Sequence, residues 1–312
     1  MNVRVIYGGD STEREVSLAS GAQIAAELRA AGAEVKELIV QDAADAIAQL
    51  SGDKSPVFIG LHGGWGEDGR LQSYLEMGGI PFVGSGSKAC VLAMDKGVSK
   101  ALFAREGLLV PSGTLVSQFD GESSLPGIAQ ALARYERLVI KPNAGGSTVA
   151  TTIVSEEREI LPALQAVWAL GDVALVEQFV PGRELTVTVW DGPLGVESMP
   201  ITEILPCSGF YDFEAKYAEA GTCYETPADL PQDLAERVGE MARLAYRTLG
   251  CRDYARVDFR LNPDGDAYIL EVNTAPGATT HSLVPMAIEA SGQRVCDFYA
   301  ALVRRAQERC EG

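Results

Sequence analysis

Two carboxylates and an amide near the C-terminus, Asp258, Glu271 and Asn273, most directly imply chemistry by type and spacing. Glu271 and Asn273 stand two apart in Tyr268-Ile269-Leu270-Glu271-Val272-Asn273, so a pleated chain turns both to one face. Upstream, Ala255-Arg256-Val257-Asp258-Phe259 reads as another strand with Arg256 and Asp258 on a shared face. Asn262-Pro263-Asp264-Gly265 supplies the turn, so the two strands read as a hairpin. The hairpin brings Asp258, Glu271 and Asn273 together as a hard, all-oxygen set, the donor chemistry of Mg²⁺ shared with phosphate oxygens. Incidental acids on a solvated hairpin face are the competing reading. The apolar flanks Val257, Phe259, Leu270 and Val272 argue against it, because a buried strand carries unpaired carboxylates only at high cost.

A metal at phosphates calls for cations nearby. Lys141 ends the apolar run Leu138-Val139-Ile140 and opens Pro142-Asn143-Ala144-Gly145-Gly146-Ser147-Thr148. This is not a P-loop, since no Gly-Lys-Ser/Thr follows the glycines and the next segment reads as a strand. A Gly-rich turn still offers backbone N–H groups to an anion, although a plain turn fits the same residues. Lys96, in Met94-Asp95-Lys96, and Lys141 read equally as surface lysines. Val176-Glu177-Gln178-Phe179-Val180-Pro181-Gly182-Arg183-Glu184 reads as a strand entering a hinge, with backbone groups for an adenine edge and an acid for a ribose. Gly8-Gly9 lacks the rest of a dinucleotide fingerprint.

The elements that must position these residues follow from the alternation of apolar runs. Over residues 3–84, strands Val3–Tyr7, Val35–Val40, Pro56–Leu61 and Ile80–Val83 alternate with helices Glu15–Ala31, Asp42–Leu50 and Gly69–Met77. That order predicts a mostly parallel sheet with helices on both faces and ligands at the strands' carboxyl ends. A long helix is expected over Ser87–Arg105. A smaller α/β unit follows, with strands Leu138–Lys141, Thr148–Val154 and Val173–Phe179 and a helix over Glu156–Leu170. Strands Leu185–Trp190, Val196–Leu205, Ala255–Leu261 and Ala267–Val272, a helix over Leu234–Leu249 and two terminal helices complete the chain.

Bulk properties bound the function. At 312 residues and 46% hydrophobic, the chain supports two or three packed units. A formal charge of −17 disfavours nucleic acid or an anionic membrane as main partner. No apolar run nears the ~20 residues that span a bilayer, and the N-terminus enters a strand pattern without a signal peptide. Six scattered cysteines without a C-x-x-C pair read as reduced thiols of a cytoplasmic protein. Two histidines, His62 and His281, leave little material for a Ser-His-Asp catalyst.

The order Met94-Asp95-Lys96, Lys141-Pro142, Gly146-Ser147, Glu177, Glu184, Arg256-x-Asp258, Glu271-x-Asn273 resembles the ATP-grasp superfamily. The blocks Glu13-Arg14-Glu15-Val16-Ser17, Leu61-His62-Gly63, Gly66-Glu67-Asp68-Gly69, Phe210–Tyr217 and Asn273–Leu283 are similar to those of the D-alanine–D-alanine ligase family, in family order across nearly the whole chain. The resemblance implies an α/β, three-domain ATP-grasp fold: a Rossmann-like N-terminal domain over 1–85, a central subdomain over 86–179, and a C-terminal domain over 180–312 with a lid loop at 207–226. It implies ATP-dependent ligation of two D-alanines through a D-alanyl phosphate, for peptidoglycan precursors, by a cytoplasmic homodimer.

The resemblance also assigns roles. Mg²⁺, as two ions or replaced by Mn²⁺, sits on Asp258, Glu271 and Asn273. Phosphates meet Lys96, Lys141, Gly146 and Ser147, with Tyr211 and Lys216 of the lid beside the nucleotide. Glu177 and Val180 meet adenine, and Glu184 the ribose. Glu13 takes the first D-alanine's ammonium, with His62 near its carboxylate. Ser282, Leu283 and Lys216 take the second D-alanine's carboxylate. Arg256 and Gly277 steady the oxyanion, and a Tyr217–Ser147–Glu13 chain latches the lid. The chain departs from many relatives in lacking an Arg-Glu pair after Pro142 and in placing Gln178 where a Lys is frequent. A ligase using D-lactate or another amino acid second, or a catalytically silent nucleotide-binding protein, are the alternatives. The intact Lys216-Tyr217 and the full Lys/Asp/Glu/Asn set argue against them.

Overall fold

In the computed structural model, which describes residues 1–146, 149–206 and 222–311, the strands form three sheets. β1 (Asn2–Gly8), β2 (Glu34–Val40), β3 (Val57–Ile59) and β4 (Phe82–Val83) are all parallel, in the order β2-β1-β3-β4. Parallel strands buried on both faces need cover on both sides. α2 (Ala43–Leu50) and α3 (Arg70–Met77) pack against one face through Leu50, Leu71 and Leu75. α1 (Arg14–Ala30) covers the other through Ile24 and Leu28, together with the last helix of the chain, α10 (Val295–Glu311). The expected parallel sheet with helices on both faces is what forms.

The helix expected over Ser87–Arg105 is instead two, α4 (Ser87–Met94) and α5 (Lys96–Arg105). Asp95 lies in extended backbone between them and its carboxylate accepts from Val98 N at 2.9 Å, capping α5. An N-cap aspartate competes better for those amides than a continuous helix does. The break places Lys96 in the first turn of α5.

A second sheet holds β5 (Gly113–Val116), β6 (Leu138–Pro142), β7 (Thr152–Val154) and β8 (Ala174–Gln178) in the order β5-β8-β6-β7. α6 (Leu125–Tyr135) and α7 (Glu157–Trp168) cover it. β5 and α6 had no counterpart in the sequence reading: the strand is mostly exposed, and Pro126 and Gly127 weaken the helical pattern.

The third sheet is antiparallel and built on β9 (Arg183–Gly192), with β13 (Tyr254–Leu261) beside it and β14 (Ala267–Asn273) beyond β13. The strand expected over Val196–Leu205 is interrupted into β10 (Gly195–Ser198) and β11 (Thr202–Pro206). Both run along the same edge of β9, but from Ser198↔Val189 to Thr202↔Thr186 one side advances four residues and the other three. Pro200 has no N–H to give the ladder, which explains the bulge. β12 (Thr222–Glu225) pairs with β11, and α8 (Gln232–Leu249) closes the core beneath. Among the described residues no helix is long and apolar enough to cross a membrane.

Candidate active site

β13 alternates cleanly. Ala255, Val257, Phe259 and Leu261 face the core, so Arg256, Asp258 and Arg260 form a polar stripe on the other face. Its partner β14 does not keep that parity. The register runs Asp258↔Glu271 and then Phe259↔Ile269, leaving Leu270 as an extra residue. Strict alternation from the buried Ala267 and Ile269 would send Glu271 and Asn273 into the core. The bulge turns Glu271 and Asn273 outward and Val272 inward. Asp258 therefore stands directly across from Glu271, and Arg256 from Asn273. The convergence expected from the hairpin is present. Leu270, taken as a buried flank, instead lines the cleft.

Each carboxylate of this pair has a cation. Arg256 forks onto Asp258 at 2.9 and 2.8 Å, and Thr186 Oγ1 donates to Asp258 Oδ1 at 2.6 Å. Lys96 Nζ lies 3.1 Å from Glu271 and donates to the Gly145 carbonyl at 2.6 Å. Asn273 Oδ1 accepts from Ala275 N at 2.9 Å, which tightens the chain as it leaves the strand. Among the described residues no three His, Cys, Asp or Glu side chains gather as a ligand set; the pair's third oxygen is the Asn273 amide.

The Gly-rich turn after Lys141 is fastened to the start of α5. The Asn143 side chain, nearly buried, accepts from Gly97 N at 2.8 Å and donates to Asp95 at 2.9 Å. Its backbone carbonyl accepts from Lys96 N at 3.2 Å, and Ala144 N donates to Asp172 at 2.8 Å. These anchors stand in a stretch that lacks the Arg-Glu pair, and the sequence reading missed them.

Glu177, expected at the adenine, has both carboxylate oxygens on lysines: Lys141 Nζ at 2.5 Å and, on its other oxygen, Lys100 Nζ. Burial works against the Glu177 charge, but the two ammonium groups outweigh it and hold its pKa below the ordinary carboxylate value. Lys100 is a residue the sequence did not single out, because a lysine one turn after Lys96 in a helix looks like surface. The hinge after β8 is braced by Arg260, which donates to the carbonyls of Val180 at 3.1 Å and Gly182 at 2.8 Å and to Glu184 at 3.1 Å. Phe179 is stacked between Arg260 and Arg137, 5.5 and 4.1 Å from its ring centre.

Lys96, Lys141, Glu177, Arg256, Asp258 and Glu271 line a cleft between the second and third sheets, about 960 Å³ of space with the open solvent at its mouth included. A second, of about 1820 Å³, lies between the third sheet and the carboxyl ends of the N-terminal strands. It holds Glu13, His62, Gly277, Ser282 and Leu283. Glu13 stands at the N-cap of α1, and its carboxylate fills the space a side chain on Gly63 would need, 2.9 Å from that position, and lies 3.4 Å from where a Cβ on Gly146 would be. His62 is held on both nitrogens, Nε2 2.9 Å from Ser20 Oγ and Nδ1 3.3 Å from Glu67. Ser20 Oγ in turn accepts from Ala278 N at 3.3 Å. Ser282 stands at the N-cap position of α9 (Leu283–Ala290) without a side-chain bond to the helix, and its Oγ accepts from Thr279 N at 3.0 Å. Gly277 sits against it, with a Cβ there only 3.0 Å from Ser282 Oγ. Free amides at the start of a helix suit a carboxylate. Lys96, Gly146, Arg256 and Glu271 wall both clefts. Ser147, Tyr211, Lys216 and Tyr217, with the lid stretch 207–221, lie outside the described residues.

Two family descriptions match the chain: D-ala D-ala ligase C-terminus over residues 128–304 and D-ala D-ala ligase N-terminus over residues 41–85. It is 40% identical to the D-alanine–D-alanine ligase of Bordetella avium (strain 197N), covering 97% of this chain and 94% of that protein. It is 43% identical to the D-alanine–D-alanine ligase of Acidiphilium cryptum (strain JF-5), covering 91% of each. The structure of a D-alanine–D-alanine ligase from Bacillus anthracis complexed with ATP superposes with a TM-score of 0.84 at 31% identity, covering 100% of this chain and 98% of that one. Whole-chain similarity at this level, together with the paired clefts, places the chain in the D-alanine–D-alanine ligase family.

Proposed function

We propose that the protein joins two D-alanines at the expense of ATP, the nucleotide in the cleft between the second and third sheets and the amino acids in the cleft beside it. One observation carries this reading: Lys96, Gly146, Arg256 and Glu271 wall both clefts, so a phosphoryl donor and a carboxylate acceptor meet at one shared partition. The first D-alanine's carboxylate oxygen attacks the γ-phosphorus, the bond to the β-phosphate oxygen breaks, and ADP leaves. The second D-alanine's amine then attacks the acyl carbon, a proton is lost, and inorganic phosphate leaves with the peptide bond made. Positioning and charge neutralisation dominate such transfers.

In this reading Lys96 and Lys141 face the phosphates, Gly146 and Ser147 offer backbone and hydroxyl donors, and Tyr211 and Lys216 close over them. Val180 and Glu177 border the adenine and Glu184 the ribose. Glu13 holds the first ammonium, with His62 bracing that wall. Ser282, Leu283 and Lys216 hold the second carboxylate. Arg256 and the Gly277 amide stabilise the oxyanion, a contribution of several kcal/mol on the usual scale (~3). Tyr217 and Ser147 latch the lid onto Glu13. Asp258, Glu271 and Asn273 suit Mg²⁺: two carboxylates at one register position plus an amide oxygen are hard donors, with Lys96 and Arg256 paired to the two carboxylates. When bound there, Mg²⁺ supplies charge neutralisation at the phosphate oxygens.

Family membership along the whole chain supports three further parts of the reading: domains over 1–85, 86–179 and 180–312, a homodimer, and a cytoplasmic site of action in peptidoglycan precursor synthesis. The test is phosphate release from MgATP with D-alanine, L-alanine and D-lactate supplied singly and in pairs. D-alanine alone is expected to yield ADP and dipeptide in equal amounts. Equal turnover with L-alanine, or phosphate without dipeptide, would overturn the reading.

A further inference from the structure

Lys100 has no part in the assignments above, yet it is 6% exposed and its ammonium is bonded to Glu177, itself 2% exposed. Glu177 shares its other oxygen with Lys141 at 2.5 Å. Of the three, Glu177 and Lys141 border the nucleotide cleft and Lys100 lies behind them, reaching up from α5.

One carboxylate between two ammonium groups leaves a net positive charge. With Lys141 alone, Glu177 would be matched one to one, and moving Lys141 to a phosphate would strand a buried carboxylate, a costly event. With Lys100 behind it, Glu177 keeps a partner whichever way Lys141 turns. We infer that Lys100 is a positioning residue that holds Glu177 so that the Lys141 ammonium is released to the nucleotide's phosphates. The inference rests on the ATP-dependent ligation proposed above and adds to it a residue and a partner exchange.

The charged groups that face Lys100 are Glu177 on β8, Lys141 on β6 and Glu271 on β14. Burial, against the pull of Glu177, lowers the Lys100 pKa to about 8. Above that pH Lys100 loses its charge, Glu177 falls to Lys141 alone, and nucleotide affinity declines. Arginine keeps its charge throughout this range.

The experiment compares the parent with K100M and K100R. It measures ATP dissociation, KM for the first D-alanine, unfolding in urea, and kcat/KM for ATP from pH 6.5 to about 9.5, a span bracketing ordinary enzyme assays. Met fills the site without charge and leaves the Glu177–Lys141 pair intact, so K100M is expected to fold. ATP binding should weaken about tenfold or more in K100M, the scale of one unit charge lost beside a partly buried anion. KM for the first D-alanine should stay within about twofold, the remaining partition being untouched. The parent's kcat/KM should fall above pH 8, and K100R should bind ATP close to the parent and lose that fall. Unchanged ATP dissociation in K100M would overturn the inference, as would equal weakening toward ATP and D-alanine, which is the mark of a general structural loss. A parent that binds no ATP would overturn the ligation reading and this inference together.

Discussion

Single residues at the partition between the clefts are ion-paired, Arg256 with Asp258 along β13 and Lys96 of α5 with Glu271 of β14, and that pairing sets what a substitution does. Asp258 accepts from Arg256 and from Thr186, so Asp258→Asn keeps the shape and the Thr186 bond but removes the charge. The fold should survive, since Arg256 can still bond the amide oxygen. Turnover should fall about a hundredfold or more, the scale of a single electrostatic contributor at a reacting centre. Steady-state kinetics in saturating Mg²⁺ check this, and near-parent turnover would remove Asp258 from the metal set. His62 behaves differently: both ring nitrogens already have protein partners, so it braces Ser20 and Glu67.

At the scale of elements, the start of α5 and the turn after β6 act as one piece, riveted by Asn143. Removing its amide takes from Gly97 N its side-chain acceptor and from Asp95 one of two donors, Val98 N remaining, both in a partly buried setting. Asn143→Ala should therefore cost about 1–3 kcal/mol in the anchoring of the turn, the penalty for orphaned polar partners. KM for ATP should rise and some ATP should be hydrolysed without dipeptide, because a loosened turn admits water to the acyl phosphate. Asn143→Asp keeps the acceptor for Gly97 N but sets a second carboxylate against Asp95, so it should be worse than alanine. Coupling ratios of dipeptide to phosphate measure both, and an aspartate variant coupled like the parent would show that the rivet is not needed.

Across the whole molecule, α10 returns the chain's end to its beginning. Phe298, Tyr299 and Leu302 pack with Val3, Val5 and Phe58 of the first sheet and with Trp190 and Tyr254 of the third. The polar counterpart of that core is Asp253, wholly buried with a left-handed backbone (φ 63°). It accepts from Gly84 N at 2.7 Å and from Arg309 at 2.5 and 2.8 Å, while Arg309 also donates to the Phe82 carbonyl at 2.9 Å. Arg309→Met would leave a buried carboxylate with its charge unmatched. Since the guanidinium is partly exposed, the expected loss is about 2–3 kcal/mol, below the full cost of breaking a buried pair. Urea unfolding followed by tryptophan fluorescence would read it, with Trp190 inside this core. A midpoint equal to the parent's would mean that the first and third sheets are held by apolar contact alone.

Much of this was legible in the residues. Alternating apolar runs specify strands and helices through local periodicity, so the parallel sheet of residues 2–83 and the β13–β14 hairpin follow from the chain alone. The chemistry of Asp258, Glu271, Asn273, Lys96 and Lys141 follows from side-chain type and order, which folding does not alter. Folding decided what depends on partners distant in sequence. Period-two counting sends Glu271 into the core, and only pairing with β13 places the bulge at Leu270 that turns it out. Asp95 looks helical until Asn143, 48 residues on, fixes its carboxylate. Lys100 looks like a surface lysine until Glu177, 77 residues on, is folded over it. Local sequence carries propensity and charge, whereas burial and the matching of one charge to another are properties of chain segments brought together from afar. That is why the residues gathered at the clefts could be named from the sequence and the partners that hold them could not.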